Sequence, residues 1–452
     1  MFETIKNCFK VKEIRKKIWI TLLLLLIFRL GCYIPVPGIT VSTFSAEIES
    51  NSFLNLLSSI TGGSLANATL FALGISPYIN ASIIIQLLTV GIPALERLSK
   101  QGEEGRKKIA QITRFVTIAL AVAQAVGIVV NFGVQSDSIK VALFGGGAIG
   151  AVSEKGALWL AGIFLTVVYT AGSMLVMWIG ERITEYGISN GISLIIFAGI
   201  ISTAGLTIVQ NLIEGFNGQY VRFWELLGFV LLTVVEFFAI VTVDLSERRI
   251  PVQYAKQVKG RKMYGGQSSV IPIRIAGSGV MPLIFAFAII SFPAMIISLT
   301  GSESANTGIT LWFSGSSPHW YVQLYYMLAL CLLIFAFSFF YQSMQFNPED
   351  VSKTIQQNGG FIQGIRPGRP TADYLKKISN RITLFGAIYL SLVAFIPSLI
   401  SIIAVSLINV SDTALLSVFS TTGILIVVSV ALELDKQLES QLMMKNYKGF
   451  LK

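Results

Sequence analysis

KEIRKKIWITLLLLLIFRLGCYIPVPG, residues 12–38, decides the class of this chain. Four basic residues, Lys12, Arg15, Lys16 and Lys17, lead into a run over 18–34 whose single charge is Arg29, and Pro35-Val36-Pro37-Gly38 closes it. As a helix that run is about 25 Å long, close to the ~30 Å of hydrocarbon in a bilayer. No small-residue cleavage site follows, so the run is expected to remain as an anchor and first helix of a bundle rather than to be removed.

Nine further apolar stretches follow it: 77–92, 115–132, 158–179, 192–209, 223–243, 275–299, 322–341, 382–403 and 415–432. With the N-terminus inside, all but four of the 34 Lys and Arg residues fall on that side of the ten spans. The exceptions are Lys140, Lys155, Arg222 and the intramembrane Arg29. The positive-inside bias therefore puts both termini in the cytoplasm. Apolar residues make up 53% of the chain and charged residues 13%, too little charge to solvate a 452-residue soluble protein. The net charge of +10 sits on the cytoplasmic loops and suits anionic lipids, RNA phosphates or an acidic protein partner. For the short loops, orienting the helices is a sufficient reason for it.

Ten spans divide five and five, and an odd number per half inverts the second relative to the first. The chain then reads as a cytoplasmic amphipathic segment (1–17), a first half (18–210), an external hinge (211–222), a second half (223–432) and a cytoplasmic tail (433–452). Loops 244–274 and 346–381 are long and mix Gly, Pro, basic and aromatic residues, which marks them as functional. The stretch 65–73, between Gly62-Gly63-Ser64 and Gly74-Ile75-Ser76-Pro77, is too short to span. It either folds back into a cavity within the bundle or lies as an interfacial turn on the outer surface.

Enzyme chemistry is missing. The one histidine, His319, sits beside Trp320 at a span end; there is no HExxH, GxSxG or phosphate-binding loop, and 102–108 has its glycines and lysines in the wrong order. Neither a catalytic residue, a metal site nor a cofactor is expected, and Cys8, Cys32 and Cys331 form no disulfide framework. Among the few charges within the spans are Arg29, near an end where its stem can snorkel, and Glu236, which has no evident partner. So few ionisable groups weigh against an ion-coupled secondary transporter built on inverted repeats. Asn190 and Gln86 could still supply neutral ligands for one, so that alternative stays open.

Several motifs are more specific than hydropathy. They are Phe28-Arg29-Leu30-Gly31 with Ile34-Pro35-Val36-Pro37-Gly38, Phe71-Ala72-Leu73-Gly74-Ile75-Ser76-Pro77-Tyr78-Ile79, and Ala81-Ser82-Ile83-Ile84-Ile85-Gln86. Gly187-Ile188-Ser189-Asn190-Gly191-Ile192-Ser193, Arg248-Arg249-Ile250-Pro251-Val252-Gln253-Tyr254-Ala255 and Gly364-Ile365-Arg366-Pro367-Gly368 complete the set. Together they resemble the SecY family, the central subunits of protein-translocation channels, over all ten spans and both long loops. The resemblance implies an all-α polytopic membrane protein, ten transmembrane helices in two inverted five-helix halves around a central pore.

It implies site residues as well. Ile79, Ile83, Ile192, Ile196, Ile284 and Ile426 would form a pore ring, a neck that dewets when empty. A plug, expected as a short, weakly packed external helix, would comprise Gly62, Gly63, Ser64, Leu65, Ala66, Asn67, Ala68, Thr69, Leu70, Phe71, Ala72 and Leu73. A lateral gate would open between the helices beginning at Pro77 and near Ile275, the latter interrupted by Pro282 and Pro293. Arg261, Lys262 and Arg366 would dock the SecA motor or the ribosome. Small SecE-like and SecG-like membrane subunits are the implied partners, and secretory and membrane-protein chains the substrate. The implied location is the bacterial cytoplasmic membrane.

Overall fold

The computed structural model describes residues 7–37, 39, 58, 61–135, 154–216, 220–254, 257–259, 262–264, 268–275, 279, 281–300, 312, 320–408 and 421–449. In chain order its helices are α1 (Lys12–Gly31), α2 (Ser76–Gly91), α3 (Pro93–Ser99), α4 (Glu103–Gln135), α5 (Glu154–Tyr186), α6 (Gly191–Phe216) and α7 (Tyr220–Leu245). Then follow α8 (Met281–Thr300), α9 (Trp320–Gln345), α10 (Pro348–Gln357), α11 (Arg369–Ile408) and α12 (Thr421–Gly449). Each of the ten expected spans overlaps one of these helices, with 276–278, 280 and 415–420 outside the described residues. Their lipid-facing sides carry large apolar residues in the open, among them Leu26, Phe115, Trp159, Phe238 and Leu332. A water-soluble surface does not tolerate such patches. Several serines and threonines inside the spans donate to the carbonyl one turn back, as Thr117 does to Thr113 and Ser338 to Ile334, both at 2.7 Å, which meets those donors in hydrocarbon.

Two compact units divide the chain. One comprises Met1–Phe229, Ala288–Tyr326 and Ser411–Lys452, the other Val230–Phe287 and Met327–Val410. In the first, α4 packs against both α2 and α5. Ala121 and Ala125 on α4 and Ala161 on α5 are fully buried, small residues that let helix backbones approach closely. Cys8 and Ile14 pack with Ile188 and with Leu438 of α12, so the N-terminal segment and the start of the tail share one apolar cluster. Between α2 and α3 the chain bends by 105° at Ile92-Pro93. Ile92 is extended (φ −108°, ψ 113°) as a residue before proline must be, and Pro93 opens α3 where its missing N–H is harmless.

The second unit holds what the all-α reading did not anticipate. Loop 244–274 contains β1 (Glu247–Tyr254), β2 (Gln257–Lys259), β3 (Lys262–Tyr264) and β4 (Ser268–Arg274), and loop 346–381 contributes β5 (Gly360–Phe361). β1 pairs antiparallel with β4 from Glu247↔Arg274 to Gln253↔Ser268. On its other edge it pairs with β5 through Gln253↔Phe361 and Tyr254↔Gly360. The two long loops are thus one small sheet. Its inner face, Ile250, Val252 and Ile273, closes on Ile355 of α10, Ile362 and Leu375 of α11 to give an apolar core of its own.

A second correction concerns α8. Pro282 does not interrupt it but occupies its first turn, where a proline fits, and the helix continues through Pro293 to Thr300. Phe285 packs its ring 4.9 Å from that of Tyr341 and ties α8 to α9.

Candidate functional site

Residues 61–75 run as consecutive turns, not as the short helix expected of 62–73. Gly62, Gly63 and Gly74 take φ of +73°, +82° and +53°, and Ala68 also lies in the left-handed region at +47°. Four such residues among thirteen preclude a right-handed helix. The segment is held instead as a strip against the chain that leaves α1. Val36 N–H donates to Ala68 O at 3.0 Å and Leu70 N–H to Ile34 O at 2.9 Å, with Pro35 and Thr69 forming the bridge.

The packing is also tighter than expected. Ser64, Leu65, Ala68, Thr69, Ala72 and Leu73 are at most 1% exposed. Leu65, Ala68, Ala72 and Leu73 share a core with Ala125 and Ile128 of α4 and Ala161, Leu165 and Tyr169 of α5. The segment therefore lies within the helices of its unit rather than on an outer surface. Ala66, Asn67 and Leu70 are its more open positions. Two helix glycines make the fit possible. A Cβ on Gly172 of α5 would collide with the Leu70 carbonyl, and one on Gly31 of α1 with the Phe71 ring. Phe71 in turn stacks on Phe28, centroids 6.0 Å apart.

Arg29 does not snorkel. Its Nη1 donates to the carbonyl of Gly62 at 3.1 Å and its Nη2 to Tyr33 Oη at 3.2 Å, while the guanidinium lies 4.9 Å from the centre of the Tyr33 ring. The intramembrane cation of α1 thus grips the first residue of the buried segment.

The six isoleucines of the expected ring are distributed over four helices. Ile79 and Ile83 sit on α2, Ile192 and Ile196 on α6, Ile284 on α8 and Ile426 on α12; Ile83, Ile196 and Ile426 are buried, the other three half-buried. α6 is placed by its leading motif. Gly187 packs against Thr21 of α1, Gly191 packs against the Gly180 carbonyl, and Gly191 N–H donates to Thr184 Oγ1 at 2.8 Å. Asn190 caps the helix by accepting from Ile192 N–H at 3.1 Å, and Gln86 donates to Ser82 at 3.0 Å. Both amides offered as neutral ligands for a transporter are thus engaged in local structure.

On the loops, Arg261 lies outside the described residues and Lys262 opens β3. Arg366 is exposed at the tip of a loop whose backbone is held. Gly364 and Gly368 take φ of +79° and +100°, Ser352 Oγ donates to Gly368 O at 2.6 Å, and Thr371 Oγ1 donates to the Arg366 carbonyl at 2.8 Å. With Ile362 buried beneath it, the loop presents a guanidinium on a fixed base.

The SecY family model matches residues 69–434. Protein translocase subunit SecY of Corynebacterium glutamicum is 40% identical over 99% of this chain and 99% of its own length, and that of Streptomyces griseus 39% identical over 100% of both. Among solved structures, one described as the structure of a protein conducting channel aligns with a TM-score of 0.67 at 20% identity, covering 94% of this chain and 92% of that one. Sec61 in the canine ribosome–channel complex from the endoplasmic reticulum aligns with a TM-score of 0.64 at 19% identity, covering 94% and 92%. Motifs, fold and relatives agree, and the chain belongs to the SecY family.

Proposed function

We propose that this chain is the pore subunit of a protein-conducting channel in the bacterial cytoplasmic membrane, with both termini in the cytoplasm. Unfolded secretory chains cross through it, and transmembrane segments of membrane proteins leave it sideways into lipid. The observation that carries this reading is the 62–73 segment: an irregular backbone seated among helices and held by discrete contacts. Irregular backbone in a membrane protein persists only inside protein, and in this proposal the segment serves as a removable stopper. Nothing in this account needs a catalytic group. The relatives are translocase subunits, which leaves the secondary-transporter alternative without support.

The isoleucines Ile79, Ile83, Ile192, Ile196, Ile284 and Ile426 form the neck in this proposal. β-Branched apolar side chains offer a moving chain no hydrogen bond to linger on, and they exclude water when the neck is empty. Sideways release follows hydrophobicity: an apolar residue gains roughly 0.3–0.6 kcal/mol at mid-membrane, and a charged one costs about 2.5–3.5. Arg366, with Arg261 and Lys262, docks the ribosome or the SecA motor, since guanidinium pairs bidentately with phosphate and carboxylate alike. Ribosome-bound channels among the structural neighbours support the first partner. SecE-like and SecG-like subunits and anionic lipids complete the assembly.

The test is a photocrosslinker at Ile83 in membranes carrying a stalled secretory chain. A crosslink to that chain is expected; crosslinks confined to probes on the cytoplasmic loops would remove the pore assignment.

A further inference from the structure

Glu236 is a span carboxylate that the channel reading does not use. It lies on α7, about 14 Å along the helix from the end that leads into β1, deep in the span. Val235, Phe237 and Phe238 on either side of it are exposed to lipid, while Glu236 is turned inward at 9% exposure, with Ile240 one turn further on the same buried face at 2%. Both of its carboxylate oxygens are buried and lack a hydrogen-bond partner. Among the described residues no cation is recorded beside it. Tyr389 of α11 lies within electrostatic reach of Glu236 and of Asp244, and its hydroxyl is likewise buried and unpartnered. Cys331 of α9 is engaged with Ser391 of α11.

An ionised carboxylate taken out of water needs a cation or several donors, and an isolated one neutralises itself instead. Here the described group within electrostatic reach is a phenol, Tyr389. The group that satisfies such a site most simply is a proton. On this geometry we infer that Glu236, turned inward on α7 with both carboxylate oxygens unmet, is a proton-binding site inside the membrane. The neutral acid is compatible with its apolar surroundings, and ionisation places an uncompensated charge there. This inference does not depend on the pore ring or on the plug.

A hydrophobic carbodiimide tests it, because such reagents capture a protonated carboxylic acid in an apolar setting. The O–H adds across one C=N bond: the carboxyl oxygen bonds the central carbon, the proton goes to nitrogen, and nothing leaves. Acyl migration then gives a stable N-acylurea. Native membranes containing the assembled complex are treated with dicyclohexylcarbodiimide near neutral pH, and the modified peptide is identified by mass. The expected adduct maps to Glu236, disappears in Glu236→Gln, and does not form with a water-soluble carbodiimide. Absence of the adduct in intact membranes, or faster labelling by the water-soluble reagent, would overturn the inference. Infrared spectroscopy gives an independent reading that needs no reagent. The carbonyl stretch of a protonated acid, present in the parent and lost in Glu236→Gln, is expected; a spectrum without it in the parent would also overturn the inference.

Discussion

Arg29 and Gly62, 33 residues apart, are joined by a 3.1 Å hydrogen bond from Nη1 to the backbone carbonyl. The geometry leaves no slack: a Cβ on Gly62 would lie 2.8 Å from that same Nη1 and 3.1 Å from Gly199 Cα of α6, and Gly62 itself sits at φ +73°. The end of α1, the entry to the buried segment and α6 therefore meet at one point. If 62–73 is the stopper of the channel, this contact is its latch.

Replacing Arg29 by Gln is expected to loosen the closed state while leaving α1 in place. A charge-assisted hydrogen bond contributes about 1.5–3 kcal/mol, so the open fraction should rise roughly tenfold to a hundredfold. Conductance of the reconstituted complex in planar bilayers reads this directly. Unchanged leak, with the protein assembled normally, would make Arg29 a spectator.

Gly172 gives an orthogonal test of the same seat. Ala at this position drives a methyl into the Leu70 carbonyl, whereas at Gly162 on the same helix the nearest atom is Val129 Cγ1 at 3.4 Å, an ordinary contact. Overpacking costs about 1–3 kcal/mol. Gly172→Ala should raise ion leak and the reactivity of a cysteine introduced at Ala68; Gly162→Ala should change neither.

The ring is tested by a pair that equalises burial. Ile83 and Ile85 are both 3% exposed on α2, but two residues apart they face different sides of the helix. Truncation to Ala at either position should destabilise by a similar amount, about 2–5 kcal/mol. Only Ile83→Ala should widen the neck, raising leak and relaxing the requirement for a strongly hydrophobic signal sequence. Equal leak from both variants would return Ile83 to the ordinary core.

Hydropathy located the long apolar helices, because a span must be long and apolar whatever its neighbours do. The small sheet was harder to see. Its only local sign is the alternation of buried Ile250 and Val252 with exposed Arg249 and Pro251, and its third strand is a two-residue piece over a hundred positions away. The turn structure of 62–73 was partly legible in its glycines, but not in Ala68, whose positive φ is imposed by the bridge to 34–36. The Arg29 contact was hidden for the same reason: the sequence does not show that Gly62, 33 residues on, is brought beside it. The isoleucines sit among many others in so apolar a chain, and only the motifs around them single them out.

Arg366→Glu should separate docking from folding. The side chain is exposed, and the loop is anchored by Ser352, Thr371 and Ile362, none of which involves the guanidinium. Stability should change by less than about 0.5 kcal/mol, as for other surface substitutions. Motor-driven export into membrane vesicles should fall severalfold. Gly368→Val, which forces a β-branched residue to φ +100°, should instead expose the loop to protease. Normal export by Arg366→Glu vesicles would remove this residue from the docking surface.

Cys8 reports on the joined termini. It is fully buried among Ile14, Ile188 and Leu438, and burial, with Asp435 nearby adding to it, pushes its thiol above the usual range. The reactive species is the thiolate. Because the folded thiol holds its proton more tightly than the unfolded one, the contribution of this cluster is complete at neutral pH. It is lost as the pH climbs through the raised value. Maleimide labelling of Cys8 in membranes should therefore be slow at pH 7 and accelerate only at alkaline pH. Leu438→Ala, which opens the cluster from the α12 side, should raise the rate at neutral pH severalfold. Rapid labelling of the parent protein at pH 7 would show that the N-terminal segment and α12 do not stay packed together in the membrane.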